Sequence, residues 1–387
     1  MIDHPIFTDE HHALREMIRA FIAREITPHV QEWERITFPD SVFTRMGELG
    51  LLGLDKPTRY GGQGGDPASA LVLAEELGRA NCAGLAMGIS VHTDMAMPPI
   101  LAFGTDAHKD DWVVPAIRGE KILCLGITEP GAGSDVAAIG TNARLDGEQY
   151  VLDGSKVFIT NGIRAHAILL LARTDEGEGF TLFLVPMDTA GIRRSRPLSK
   201  VGLRASDTAV LTFDDVRVPA AAVVGAVGRG FHHIMWELQG ERLTAAAYCL
   251  GSAQWLLDAT ARYARQRHTF GRPIAAHQAI RHKIAEMRVE LEAARQLVYA
   301  AAWQLRQGDY PVRNISIAKL FATRAACHIA DEAMQIHGGA GCMTEYGIER
   351  AWRDLRVFRI AAGTDEIMLE IIAREPGPTT RRSNGHR

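Results

Sequence analysis

Two carboxylates one helical turn apart, Glu237 and Glu241, stand in a long stretch rich in Ala, Leu, Arg and Glu, with Arg242 directly after the second. A carboxylate in an apolar pocket has its pKa raised toward neutrality, because burial penalises the charged form. That suits a general base. An ion pair with a helix neighbour, Arg242 or Arg262, is the alternative role for Glu241. More than a hundred residues later the chain reads Arg359-Ile-Ala-Ala-Gly-Thr-Asp-Glu-Ile367. Alanine at 362 cannot take a proton, so this loop offers only backbone before Gly363 and Thr364. Asp365 follows.

Four further segments have residue types suited to a ligand. Ile127-Thr-Glu-Pro-Gly-Ala-Gly-Ser-Asp135 follows a β-rich run. Pro130 sets a turn, Gly131 and Gly133 let the backbone approach a ligand closely, and Thr128 and Ser134 add hydroxyls. A plain turn explains the same residues. The segment is not GxGxxG and leads into no helix, which argues against a Rossmann dinucleotide site. Phe158-Ile-Thr-Asn-Gly162 ends a second run with an aromatic and a hydroxyl, which suits an isoalloxazine ring; a core phenylalanine is the alternative. Arg267-His-Thr-Phe-Gly271, then His277-Gln278, lies between two helical stretches. Its guanidinium fork matches pyrophosphate oxygens, against the alternative of a solvated arginine. Gln335-Ile-His-Gly-Gly-Ala-Gly341 ends a helix in three glycines, where a plain C-cap needs one.

These residues need elements to position them. The 387 residues are 47% apolar and 23% charged, enough for two or three ordinary globular domains. Helical spacing runs from Thr8, a candidate N-cap, through Leu14, Met17, Ile18, Phe21 and Ile22. It returns at 68–77 and at 85–103, where Pro98-Pro99 ends or kinks the helix. From Lys121 short β-rich runs follow one another without intervening helices, punctuated by Asp146-Gly147 and Asp153-Gly154. Such spacing predicts an antiparallel barrel or sandwich. From about Gly230 long helices are expected at 231–265, 277–306, 314–337 and 345–355, lengths that pack as a bundle and build oligomers. The expected fold is α+β: an N-terminal α-helical domain at 1–120, a middle β domain at 121–228 and a C-terminal α-helical domain at 229–387.

Net charge of −3 gives no argument for nucleic acid or an anionic membrane. Five cysteines, none in a CxxC pair, argue against a zinc site and a disulfide framework. No apolar run is long enough to span a membrane and the N-terminus is not a signal peptide, so a cytoplasmic protein is expected. The tail from Pro376 to Arg387 is expected to be disordered.

Taken in order and spacing, the five glycine-bearing segments resemble the acyl-CoA dehydrogenase family over nearly the whole chain. TEPGAGSD, the ITNG strand end, RxTFG followed by His277-Gln278, QxxGG and the Gly363-Thr364 loop are each family signatures. Weaker echoes are Glu75-Glu-Leu-Gly-Arg79, Phe103-Gly104-Thr105, and Ser206-Asp207 followed by Phe213 to Pro219. Most members have glutamate where Ala362 stands. Glu241 falls where the isovaleryl-CoA and long-chain branches keep their base.

The resemblance implies FAD, a homotetramer or homodimer, and oxidation of an acyl thioester to its trans-2-enoyl form. By position, Leu125, Ile127, Thr128, Gly133, Ser134, Phe158, Ile159 and Thr160 would line the flavin. Leu125 replaces an aromatic and Phe158 a tryptophan, and both keep an apolar face. Arg267, Thr269, Phe270, Gln278, Gln335, Gly338 and Gly339 would meet the FAD of a neighbouring subunit. Gly363, Thr364 and Glu366 would close over the cofactor. The substrate would touch Ser134, Arg242 and Met95, on a stretch where His92, Asp94 and Met97 also face either the acyl channel or the core. The thioester carbonyl would accept hydrogen bonds from the FAD ribityl chain and the Ala362 N–H, Glu241 would take the α-proton, and the β-hydride would go to flavin N5. Glu237 and Asp365 are the outside candidates for the base. Electron-transferring flavoprotein is the implied acceptor. A dehydrogenase of carrier-protein-bound acyl or aminoacyl groups, and a flavin-binding scaffold without activity, are the other readings.

Overall fold

A computed structural model describes residues 4–174 and 179–374; the C-terminal tail discussed above lies outside them. Helices occupy the chain up to Ile117, strands run from Leu123 to Val224, and helices return at Gly230. The first helix, Asp9–Phe21, starts at Thr8, whose N–H donates to His11 Nδ1 at 3.1 Å. Ile18, Phe21 and Ile22 are buried as the spacing predicts, whereas Met17 is exposed. Arg15 on this helix is buried too. It is held there by Glu75 at 2.9 Å and Glu76 at 2.6 Å from the helix Pro67–Arg79. Tyr299, from the helix Gln278–Arg306, donates to Glu75 at 2.7 Å. Three helices distant in sequence therefore share one buried, fully engaged charge cluster, which fixes their mutual register.

The prolines at 98 and 99 do not end their helix. Ala83–Ser90 is α-helical, Val91–Ala96 is a π-helical insertion, and Met97–Phe103 is α-helical again. Two prolines lack the N–H groups that would bond back to the preceding turn. A wider turn placed just before them absorbs that break.

The strands are β1 (Leu123–Gly126), β2 (Asn142–Asp146), β3 (Gln149–Thr160), β4 (Ala167–Thr174), β5 (Phe180–Pro186), β6 (Ile192–Arg194), β7 (Thr208–Pro219) and β8 (Val223–Val224). They join in the order β6-β7-β3-β2-β4-β5-β8, with β1 on β4. Most pairs are antiparallel, as the spacing suggests, but β1 and β2 both run parallel to β4. The sheet is therefore mixed. Parallel pairing became possible because the chain between β1 and β4 is long enough to return to the same end of the sheet.

The long helices are Gly230–Gln266, Gln278–Arg306, Val312–His337 and Ile348–Phe358, within a few residues of their expected bounds. Gly230–Gln266 crosses Pro67–Arg79 with backbone almost on backbone. A Cβ on Gly251 would stand 1.9 Å from the Glu75 carbonyl oxygen, and one on Gly78 would stand 2.3 Å from that of Tyr248. Only glycine fits at this crossing. A Cβ on Gly240, on the same helix, would meet nothing within 4 Å. Gly251→Ala should therefore lose about 1–3 kcal/mol of stability, whereas Gly240→Ala should hold or gain up to about 1 kcal/mol. Thermal unfolding of the two variants beside the parent checks this; equal shifts would contradict the close crossing.

Candidate active site

The same crossing makes a chamber. Leu73, Ala74 and Leu77 of Pro67–Arg79 form one wall, and Leu51, Leu52 and Leu54 a second. Glu241, Thr244, Ala245 and Tyr248 of the long helix form a third, and Ala361 and Ala362 close one end. The space between these walls, with open solvent at the mouth included, is about 680 Å³. Glu241 and Ala362, 121 residues apart in sequence, thus face one cavity.

Glu241 is 7% exposed and has no ion pair or hydrogen bond among the described residues. Burial pushes its carboxyl up to about 7, against the pull of Arg242 and Lys319 and with the help of the Asp94 carboxylate. The ion-pair alternative is not what the side chains do. Arg242 turns instead to the loop, where its Nε donates to the Ala362 carbonyl at 3.0 Å, and Arg262 is exposed further along the helix.

The loop itself is sharply turned. Ala362 and Gly363 both lie in the left-handed region, with φ of 58° and 92°. For alanine that conformation costs roughly 1–2 kcal/mol, and several contacts hold it. Lys319, buried on Val312–His337, donates to the Gly363 carbonyl at 2.6 Å. Thr364 accepts from the Ile367 N–H at 3.3 Å and caps the helix Asp365–Ala373. Asp365 binds Arg359 at 2.7 Å and Arg324 at 3.0 Å. With both carbonyls taken by cations, the Ala362 N–H has no acceptor among the described residues. Lys319 drew no attention in the sequence, where it reads as an ordinary helix lysine; only its burial marks it.

The two outside candidates for the base do not line the chamber. Burial raises the Asp365 pKa, but Arg359 and Arg324 outweigh it and hold the carboxyl below its ordinary value. Glu237 is 2% exposed and both its oxygens lack partners among the described residues; burial first, and the Glu241 charge next, push its pKa well up.

Met95 and Asp94 line the chamber, whereas His92 and Met97 do not. Both His92 ring nitrogens serve the backbone: Nε2 lies 3.0 Å from the Ala116 carbonyl, and Nδ1 accepts from the Leu123 N–H at 3.1 Å. His92 therefore pins the chamber to strand β1.

The segments with glycines at one end of the sheet come together beside that pin. Lys156, fully buried on β3, donates to the Ile127 carbonyl at 3.0 Å and to Glu129 at 2.8 Å. Glu129 also accepts from the Gly140 and Thr141 N–H groups. This folds the 127–135 turn against β3 and leaves Gly131, Gly133 and Ser134 exposed, with open space where a Cβ on either glycine would point. Phe158, at the end of β3, is 67% exposed with a φ of 62°. It is not a core residue. Leu125, Ile127, Thr128 and Thr160 are half-buried around it; the Ile159 side chain is in the core, so only its main chain can meet a ligand. Asn161, in the ITNG strand end but given no role there by the sequence, ties this strand end to the chamber wall by donating to the Gly88 carbonyl at 2.8 Å. An exposed ring beside open glycines, a few residues from the chamber wall, fits a flat cofactor with phosphates.

Arg267, Thr269, Phe270 and Gln278 sit on or beside a small hairpin, β9 (His268–Thr269) and β10 (Arg272–Pro273), away from the chamber lining. Phe270 is 97% exposed with a φ of 49°. Gln335, Gly338 and Gly339 are also exposed, and Tyr263 links them to the base of this hairpin by donating to the His337 carbonyl at 3.2 Å. Glu366 is exposed on the first turn after the loop. No group of His, Cys, Asp and Glu suited to a metal occurs among the described residues, and none of their helices is long and apolar enough to cross a membrane.

An unpaired carboxylate and a free amide across one apolar cavity, with room for a flat cofactor alongside, suit an oxidoreductase that must first loosen a proton. Family models match the chain in three consecutive pieces: the acyl-CoA dehydrogenase N-terminal domain at 8–120, the middle domain at 124–216 and the C-terminal domain at 228–376. The chain therefore belongs to the acyl-CoA dehydrogenase family, whose members are FAD-dependent oxidoreductases. Among its relatives is the probable acyl-CoA dehydrogenase YngJ of Bacillus subtilis, 39% identical over 95% of this chain and 98% of the relative. A crystal structure of acyl-CoA dehydrogenase from Geobacillus kaustophilus is 40% identical, with a TM-score of 0.93 over 96% of this chain and 99% of that one. A glutaryl-CoA dehydrogenase from Mycobacterium smegmatis, solved in complex with FADH2, is 32% identical with a TM-score of 0.90 over 95% and 94% of the two chains.

Phe158→Ala should weaken FAD retention roughly tenfold, the loss of about 1–1.5 kcal/mol of aromatic stacking, while leaving the melting point of the cofactor-free protein unchanged. Flavin absorbance after serial dilution and filtration reads the first, and thermal unfolding the second. Unaltered retention would remove Phe158 from the cofactor site.

Proposed function

We propose that the chain oxidises an acyl thioester, acyl-CoA or its carrier-protein equivalent, to the trans-2-enoyl form, with Glu241 as the base. The observation that carries this reading is the pairing of an unpartnered Glu241 with the unengaged Ala362 N–H across one chamber. The α-proton of a thioester is weakly acidic, and its removal needs a base and a donor for the charge that develops on the carbonyl oxygen. Glu241 is the base. The Ala362 N–H is the donor, aimed by Arg242 and Lys319, which hold the two carbonyls that follow it. FAD, when bound, supplies the acceptor at N5 for the hydride that leaves the β-carbon.

Leu125, Ile127, Thr128, Gly133, Ser134, Phe158 and Thr160 hold the flavin side of the cofactor, with Gly363, Thr364 and Glu366 closing over it. Arg267, Thr269, Phe270, Gln278, Gln335, Gly338 and Gly339 serve the cofactor of a second copy in a homodimer or homotetramer. The exposure of Phe270 supports this, since a bare aromatic ring on a hairpin gains from a partner surface. The base on the helix favours the isovaleryl-CoA and long-chain branches. Electron-transferring flavoprotein is the acceptor. A scaffold without activity is disfavoured because Glu241 faces the chamber together with the unengaged Ala362 N–H, an arrangement that a passive flavin site does not need.

Anaerobic mixing of the FAD-loaded protein with a panel of acyl-CoAs tests the reading through bleaching of the bound flavin. At least one thioester should bleach the parent, and Glu241→Gln should slow that reduction by about 10²–10⁴. Bleaching by no thioester would remove the dehydrogenase reading, and an unslowed Glu241→Gln would remove the base. The base works only when deprotonated. With its carboxyl pushed up to about 7, the rate of flavin reduction should rise with pH through about 7 and level off above it. A profile that is flat between pH 6 and 8 would contradict that assignment.

A further inference from the structure

The chamber is not a uniform hydrocarbon slot. Asp55, Ser90, Thr93 and Asp94 share its wall with the leucines. Asp55 has a buried counter-ion in Lys56, 2.7 Å away. The Thr93 hydroxyl is committed to the Ile89 carbonyl at 3.0 Å. Asp94 differs. It sits in the π-helical insertion Val91–Ala96, has no salt bridge among the described residues, and keeps accessible surface while facing the chamber. Burial pushes its carboxyl up to about 6, with Lys56 opposing, Asp55 adding, and the neighbouring Ser90 and Thr93 hydroxyls drawing it back down. Glu241, nine-tenths buried, faces the same space without a partner.

The hydroxyls beside Asp94 serve only part of its carboxylate, and a plain hydrocarbon chain entering this chamber strips water from the accessible remainder and returns nothing to it. An uncompensated buried charge is strongly unfavourable. A chain that brings its own donor restores the lost hydrogen bond, and sites built around such a bond discriminate against analogues that lack it.

Resting on the dehydrogenase reading above, we propose that the acyl group taken by this chamber carries a hydrogen-bond donor, a hydroxyl or an ammonium, that seats on Asp94. Asp94 is then a specificity-determining residue. Asp94 and Glu241 line the same chamber, so the donor belongs to the acyl chain and not to the group that carries it.

The test uses the FAD-loaded protein and the second-order rate constant for anaerobic flavin reduction. The probes are butyryl- to octanoyl-CoA and the same chains carrying a terminal hydroxyl or amino group. For at least one length the substituted chain should exceed the plain one by about tenfold or more. Asp94→Leu should abolish or reverse that ratio at unchanged flavin content. Asp94→Asn, which keeps an acceptor without the charge, should retain the preference if the donor is a hydroxyl and lose it if the donor is an ammonium. A parent that prefers plain chains at every length, or a ratio that Asp94→Leu leaves unchanged, overturns the proposal while sparing the dehydrogenase reading. Flavin reduction by none of the thioesters overturns that reading, and the proposal with it.

Discussion

A single hydrogen bond, from Arg242 Nε to the Ala362 carbonyl, couples the two halves of the site. Arginine next to a buried glutamate ordinarily pairs with it, and such a pair would hold the carboxyl ionised and occupied. Here the guanidinium reaches the loop instead. Glu241 is left to the chamber, with its pKa raised by burial, and the loop is held in a left-handed turn that alanine does not favour on its own. Lys319 repeats the arrangement one carbonyl further on, from a different helix. Both features that the chemistry needs, a base without a partner and an amide without an acceptor, follow from where these two cations point.

That geometry depends in turn on helix packing far from the reacting groups. The glycines at 78 and 251 let Gly230–Gln266 lie directly on Pro67–Arg79, so that the chamber is bounded by backbone-close helices and not by long side chains. The Arg15, Glu75, Glu76 and Tyr299 cluster then fixes the position of Pro67–Arg79 against the helices at either end of the chain. His92 and Asn161 do the same between the chamber and the sheet. Buried polar groups that are fully engaged in this way set register more than they add net stability.

Much of this was legible in the sequence, for identifiable reasons. Helix and strand types followed from period, and the segments with several glycines in order pointed to the family. The placement of Glu241 opposite Ala362 also came from that order, since no local pattern links residues 121 positions apart. Local pattern could not tell which face of a helix looks inward where the helical register changes. His92 and Asp94 stand two residues apart in the π-helical turn, on opposite faces, and one meets the sheet while the other lines the chamber. Lys319 was missed, and Asn161 stood in the ITNG strand end without a role of its own, because their partners, Gly363 and Gly88, are backbone carbonyls with no sequence signature. The parallel pairing on β4 was missed because strand spacing says nothing about direction.

The central claim is that proton removal belongs to Glu241 alone, and it can be separated from hydride transfer. A thioester analogue with sulfur in place of the β-carbon can lose an α-proton but no β-hydride. Incubated with the FAD-loaded protein in D2O, such an analogue should exchange its α-protons for deuterium, and exchange by Glu241→Gln should fall to the rate without protein, as followed by proton NMR. Exchange by Glu241→Gln at the parent's rate would contradict the account.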